Sequence, residues 1–257
     1  MNSLREPVLK QMVESLNLPI GSRGLDIGCG IGAQSILLSV AVGEEGSITG
    51  LDQDPEILDY AKSLISRANL GNRVDLRLGD MNHLPFDENY FDWVWSVDCV
   101  GYPTGNHRQL LAEINRVLKP GGQVFLAAWS SQQLLPGYSL LEANLNAHLS
   151  AYKPIFQGQD PDNCFMCISH SMELLGIHEV VARTFVGDIK APLSADQRKA
   201  VISLIDMLWV PSQSGLTKED CNIFEYICKP NSPGFIPDNS NYYGFFTYTL
   251  FSGRKKK

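Results

Sequence analysis

The sequence predicts an α/β fold, a doubly wound parallel sheet with helices on both faces. Three observations predict it. Short apolar runs alternate with amphipathic stretches through the first half of the chain, the first apolar run ends in a cluster of glycines, and Pro and Gly turn residues separate the units. Alternation at this spacing implies βαβ units joined by right-handed crossovers. A chain of 257 residues, 44% of them hydrophobic, buries a full core without a disulfide or metal staple.

Each element follows in order. Val8, Leu9, Met12, Val13 and Leu16 recur at helical spacing, so Glu6 to Leu16 reads as a leading helix that stops before Pro19. Gly24 to Ile27 is a short strand, and helical composition resumes over Ala33 to Val40. The pattern repeats as strand Ser47 to Leu51, helix Pro55 to Ala68, strand Val74 to Leu78 and a loop through Pro85. Strand Phe91 to Val97, helix Arg108 to Val117, a turn over Lys119 to Gly122 and strand Gln123 to Trp129 complete the core.

From Ser130 the rhythm changes. Aromatics, glycines and prolines fill Leu134 to Cys167 without a clear strand, which reads as an inserted lid. A helix at Ser169 to Leu175 and a strand at Glu179 to Val186 follow, then helices at Ala195 to Trp209 and Thr217 to Cys228. A loop over Pro230 to Asn241 leads to the aromatic, β-rich run Tyr242 to Ser252. That last strand follows its neighbour without a full crossover, which suits antiparallel pairing.

The formal charge of -7 repels polyanions, and no basic stripe with interleaved aromatics precedes the C-terminus, so nucleic acid is not the expected partner. The basic run Arg254 to Lys257 reads as a solvated end. The stretch Met1 to Lys10 has no targeting pattern and no apolar run reaches bilayer length, so the expectation is a cytoplasmic protein without a membrane span. Cys29, Cys99, Cys164, Cys167, Cys221 and Cys228 are expected to be free thiols.

The motif with the most chemical content is Leu25-Asp26-Ile27-Gly28-Cys29-Gly30-Ile31-Gly32, an acid at a strand end followed by glycines at alternate positions. Glycine permits a tight turn and lets a ligand approach the main chain. Dinucleotide enzymes space these glycines G-x-G-x-x-G and set a diphosphate on the helix N-terminus. Here the spacing is G-x-G-x-G with Asp26 beside it, poor for a diphosphate and good for a ligand carrying ammonium and sulfonium charge. Asp52, at the end of the next strand, is placed to accept from two ribose hydroxyls, a role a nicotinamide enzyme also requires.

D-I-G-C-G-I-G resembles the first motif of the class I S-adenosylmethionine-dependent methyltransferases. Leu78-Gly79-Asp80-Met81 resembles that family's adenine-contacting turn. Leu84-Pro85-Phe86, Tyr90-Phe91-Asp92 and Arg116-Val117-Leu118-Lys119-Pro120-Gly121-Gly122 resemble its ubiquinone/menaquinone-type branch. The likeness covers Gly24 to Trp129. It implies a Rossmann-like seven-stranded sheet with an antiparallel closing strand and a helical or loop lid. The chain would then be a single domain: a core over 20–130, lid or acceptor-binding insertions over 131–175 and 190–241, and a closing strand over 242–252. It also implies S-adenosyl-L-methionine as cofactor, with S-adenosyl-L-homocysteine as product. On that reading Asp26, Gly28, Gly30 and Gly32 form the turn around it. Asp52 with Gln53 hold its ribose, Gly79, Asp80 and Met81 its adenine, and Ser96 and Val97 pass beside its methionine part. Asp52 also reads as a helix N-cap, and Asp80 as a turn residue.

The segment Ser96-Val97-Asp98-Cys99-Val100-Gly101-Tyr102-Pro103 is expected to face the acceptor, and it departs from the apolar or His-containing stretch common in the family. Asp98, Tyr102 and His107 are the candidate acid/base or orienting groups, with helix capping as the competing role for Asp98 and His107. Trp129, Tyr138, Tyr152, Phe156, Phe165, Trp209, Tyr242 and Tyr243 are enough to wall an aromatic acceptor pocket, and equally are core candidates. Cys164-Phe165-Met166-Cys167 has chelating spacing but no second ligand pair, so no metal is assigned. The expected partner is a small, aromatic or quinone-like acceptor. A nicotinamide-dependent oxidoreductase and a non-catalytic S-adenosylmethionine-binding protein are the alternatives.

Overall fold

A computed structural model describes residues 3–100, 107–149, 163–210 and 216–257. Among the described residues, seven strands form one sheet in the order β3-β2-β1-β4-β5-β7-β6. They are β1 Arg23–Ile27, β2 Ser47–Asp52, β3 Val74–Leu78, β4 Phe91–Val97, β5 Leu118–Gln133, β6 Ile177–Lys190 and β7 Tyr243–Lys255. The described helices are α1 Arg5–Glu14, α2 Ala33–Ala41, α3 Pro55–Arg67, α4 His107–Val117, α5 Ser139–Ala147, α6 Ile168–Leu174, α7 Ala195–Trp209 and α8 Lys218–Cys228.

The pairs β1–β2, β1–β4, β2–β3 and β4–β5 are parallel. β7 runs the other way. Thr184 meets Thr249 while Gly253 lies against His178, and Gly187 meets Phe246, so positions on β6 and β7 progress in opposite senses. β1 and β4 are apolar and buried on both faces, as central strands covered by helices must be. The chain order reverses between them, since β2 and β3 lie on one side of β1 and β4 and β5 on the other. This is the switch point at which open α/β sheets bind ligands.

Local chemistry sets the element ends. Asp54 caps α3, its Oδ1 accepting the N–H groups of Glu56 (2.9 Å) and Ile57 (3.2 Å), with Pro55 at the first helical position. On α4, Leu110, Leu111, Ile114 and Val117 face inward and join Leu25, Val94, Val124 and Leu126 in one core.

The chain divides into two compact units. Of the described residues, the larger takes 9–100, 107–129, 163–185 and 249–257, and the smaller takes 3–8, 130–149, 186–210 and 216–248. In the smaller unit the Glu142 carboxylate, buried on α5, accepts the N–H groups of Leu134 (2.7 Å) and Leu135 (3.0 Å). Asn146 Oδ1 receives Gln132 and the Trp209 indole N–H, and Arg198 makes a two-pronged pair with Asp238.

α5 lies in the stretch read as a helical or loop lid without a clear strand. Two local expectations change. β5 starts at Leu118 rather than Gln123, because Lys119 to Gly122 form a bulge inside the strand: Phe91 pairs with Leu118 and Trp93 already with Gln123. The basic end is not simply solvated. Lys255 lies in β7, and its Nζ donates to Asn89 Oδ1 (2.9 Å) and to the carbonyls of Asn115 (2.6 Å) and Leu118 (2.8 Å). Among the described residues, no helix is long and apolar enough to cross a membrane.

Candidate functional site

At the carboxyl ends of β1, β2, β3 and β4 the larger unit holds a cleft of about 250 Å³, lined by Gly28, Leu51, Asp52, Gln53, Gly79, Met81, Val97, Asp98 and Cys99. Two carboxylates and no Lys, Arg or His stand among these residues. Coulomb's law therefore favours a ligand with positive charge and opposes a diphosphate.

The glycine turn builds one wall. Gly28, Gly30 and Gly32 have φ of 72°, 51° and 77°, the left-handed region that side chains rarely enter. A Cβ on Gly28 would lie 2.4 Å from the Cys99 Sγ, whereas one on Gly30 would meet nothing within 4 Å, so the main chain at Gly30 is open to close approach. Gly28 and Cys29 both donate to the Leu51 carbonyl, which ties the turn to the end of β2. Asp52 completes the tie, with Oδ2 accepting the Gly30 N–H at 2.8 Å and Oδ1 the Asp54 N–H at 3.1 Å. The cap of α3 is Asp54, so Asp52 is left to shape the cleft, with Gln53 exposed beside it.

Asp26 lies beneath the turn, 1% exposed, and accepts from the Ser35 hydroxyl at 2.6 Å; it is not a lining residue. Burial pushes its carboxyl up to about 7, opposed by the Ser35 hydrogen bond and reinforced by the Asp52 charge. Burial likewise pushes the Cys99 thiol up to about 11, with the charges of Asp52 and Asp26 adding to it. Gly32 is the N-cap of α2 and packs on Ala61 and Ile65.

On the third side Gly79 and Met81 line the cleft, while Asp80 is exposed and closes its own turn. Asp80 Oδ1 accepts from the Asn82 backbone (2.9 Å) and side chain (2.8 Å), and these bonds hold its carboxyl below the usual range. Ser96 is buried. Its hydroxyl donates to the Ile27 carbonyl, and Val97 faces the cleft. Asp98 lines the cleft, His107 is buried at the first residue of α4, and Tyr102 lies outside the described residues.

The structure thus gathers Gly28, Asp52, Gln53, Gly79, Met81, Val97 and Asp98 around one space, and sets Asp26, Gly30, Gly32, Asp80 and Ser96 in the turns and strand ends that frame it. Leu51 and Cys99 line it without having been singled out; their signal is their place at the ends of β2 and β4. Of the candidate pocket aromatics, Phe165, Trp209 and Tyr242 are core, Tyr138 and Tyr243 are exposed, and Tyr152 and Phe156 lie outside the described residues. Cys164 and Cys167 are in no disulfide, and among the described residues no group of three or more His, Cys, Asp or Glu is placed to hold a metal ion.

Comparison with known proteins gives the class first. Residues 25–122 match the family of methyltransferase domains. Among individual relatives, the demethylmenaquinone methyltransferase of Staphylococcus epidermidis is 37% identical over 150 residues, which are 57% of this chain and 58% of that protein. The chain therefore spans somewhat more than half the length of such relatives. YcgJ of Bacillus subtilis, a solved structure, aligns with 98% of this chain and 99% of its own at a TM-score of 0.59 and 18% identity. A phosphoethanolamine N-methyltransferase of Haemonchus contortus, solved with S-adenosylhomocysteine, aligns with 98% of this chain and 52% of its own at 0.55 and 19%. The two structures share the fold, a Rossmann-like α/β sheet, with this chain. The domain match and the relative bear out the resemblance to class I methyltransferases of the ubiquinone/menaquinone type.

Proposed function

We propose that this chain is an S-adenosylmethionine-dependent methyltransferase whose acceptor is a small, quinone-like molecule. The observation that carries the reading is Asp52. It stands at the end of β2, is bonded to the Gly30 N–H of the glycine turn, and shares one acidic cleft with Gly28 and Met81. The residues fit the cofactor: the open main chain at Gly30 admits a close neighbour, the acidic lining suits a cation, and Leu51 and Met81 offer apolar walls to a purine. Asp52 and Gln53 would hold the ribose, and Gly79, Asp80 and Met81 the adenine. Gly28, Gly30 and Val97 would border the methionine end, with Asp26, Gly32 and Ser96 holding the turn and strand end behind them. When bound, the cofactor supplies an electrophilic methyl group on sulfur.

The chain's own task is alignment and exclusion of water, since in-line displacement needs the acceptor atom held against the methyl. We assign that steering to the segment after β4, with Asp98, Tyr102 and His107 as its orienting groups. The quinone-like acceptor rests on the demethylmenaquinone methyltransferase likeness.

Calorimetry tests the reading. S-adenosylhomocysteine should bind, NADH should not, and Asp52→Ala should weaken S-adenosylhomocysteine at least tenfold, about 1.4 kcal/mol. A protein that binds NADH instead, or an Asp52→Ala variant with unchanged affinity, would reject it. A labelled methyl donor should then transfer label to a reduced naphthoquinone.

A further inference from the structure

The strand end that borders the cleft between β1 and β5 is fastened twice. Toward β1, the Ser96 hydroxyl donates to the Ile27 carbonyl at 2.9 Å and accepts the Val100 N–H at 3.4 Å. Toward β5, the Asp98 N–H donates to the Ala127 carbonyl at 2.9 Å, and Asp98 Oδ1 accepts the Trp129 N–H at 2.7 Å. Between these fastenings sits Cys99. Its Sγ fills the position a Cβ on Gly28 would take and lies 3.7 Å from the Met81 Sδ. One thiol thus bridges the glycine turn and the turn after β3.

The backbone at Asp98 is itself unusual. Its φ is 52°, in the left-handed region that Asp and Asn enter more readily than other side chains. Of the described non-glycine residues with positive φ, it is the one that lines the cleft. A strained residue persists where its surroundings hold it, and the two bonds to β5 are among the contacts that hold this one.

We infer that Asp98 is a positioning residue: through the acceptor oxygen it offers the Trp129 N–H, it sets the left-handed turn that seats Cys99 between Gly28 and Met81 and so fixes the width of the cofactor cleft. The inference rests on the cofactor reading given above. It requires the oxygen and the turn, not the negative charge, which separates it from a proton-accepting role.

The test compares Asp98→Asn with Asp98→Gly in the full chain. Asn keeps an acceptor oxygen and tolerance of the left-handed turn; Gly keeps the turn, relieves its strain and loses the oxygen. Both variants lose the charge alike, so S-adenosylhomocysteine affinity by calorimetry should fall about tenfold or more further in Asp98→Gly than in Asp98→Asn. Amide exchange at Trp129 should remain slow in the first and become fast in the second. Rescue by Asn is the readout that a role in bulk folding would not give, because Gly is the less strained of the two variants. Equal losses in both variants, or wild-type affinity in Asp98→Gly, would overturn the inference. If the unaltered protein does not bind S-adenosylhomocysteine, the cofactor reading fails instead. Trp129 exchange then decides the latch alone: slow in Asn and fast in Gly upholds it, equal rates in both overturn it.

Discussion

Asp26 shows how the environment of a single side chain separates a motif's appearance from its local role. The sequence places this acid beside the glycine turn, and the structure buries it beneath that turn with one hydroxyl partner, Ser35. Its folded-state pKa, about 7, lies above the ordinary aspartate value of 3.8, so between those values the folded protein holds more protons than the unfolded chain. Stability from this group therefore falls as pH rises from about 4 to about 7, by an amount on the order of a few kcal/mol. Asp26→Asn removes that dependence. Melting temperatures of the two proteins should diverge in favour of the variant from pH 5 to pH 8; parallel curves would show that Asp26 is not held in its protonated form. The position of Asp52 at the cleft was legible at this scale because it ends a strand beside the glycine turn, and the capping of α3 falls to Asp54. The internal bonds of Asp80 were not legible in the same way, because an Asx-type turn and an exposed ligand contact look alike in sequence. Nor was the seat of Cys99, which depends on Gly28 approaching from seventy-one positions away in the chain.

Elements from α1 to α4 were legible almost to the residue, because the central strands β1 and β4 are buried on a helix-covered sheet and α3 and α4 carry apolar stripes of period 3.6. Pro55 marks the start of α3, and Asp54 supplies its cap. Asp54→Ala should lower stability by about 1 kcal/mol, read as a lower urea midpoint at constant m-value. An unchanged midpoint would mean that solvent replaces the cap. α5 escaped detection for a physical reason. Its N-cap, Tyr138, supplies no side-chain bond, and the inward face alternates Leu141 and Leu145 with Glu142, whose charge breaks the apolar period. The burial of Glu142 makes sense only once the two backbone N–H groups it accepts are in place. The bulge in β5 was concealed likewise, since Lys119-Pro120-Gly121-Gly122 has turn composition whether a strand begins after it or runs through it.

At the scale of the whole chain, the parallel core followed from counting βαβ units and the seven-stranded sheet with its antiparallel closing strand from the family resemblance, whereas the fastening of its late strands followed from neither. Lys255 joins β7 to the carbonyl end of α4 and to Asn89, so a residue in a run that composition marks as solvated acts as a tie. Burial holds its ammonium below the usual lysine range, with the charge of Glu88 opposing that shift. Replacing the cation while keeping an aliphatic stem, Lys255→Met, should cost about 2 kcal/mol by denaturant unfolding, given bonds to a charged donor. A loss below about 0.5 kcal/mol would show the tie to be decorative.

The placement of β7 between β5 and β6 has a bearing on synthesis. A ribosome releases β6 before β7, yet among the described strands β6 pairs with β7 alone. Until β7 emerges and threads into its slot, the apolar and charged faces of β6 face whatever the cell presents, so the interval between the two is when the nascent polypeptide is most open to chaperones and to wrong partners.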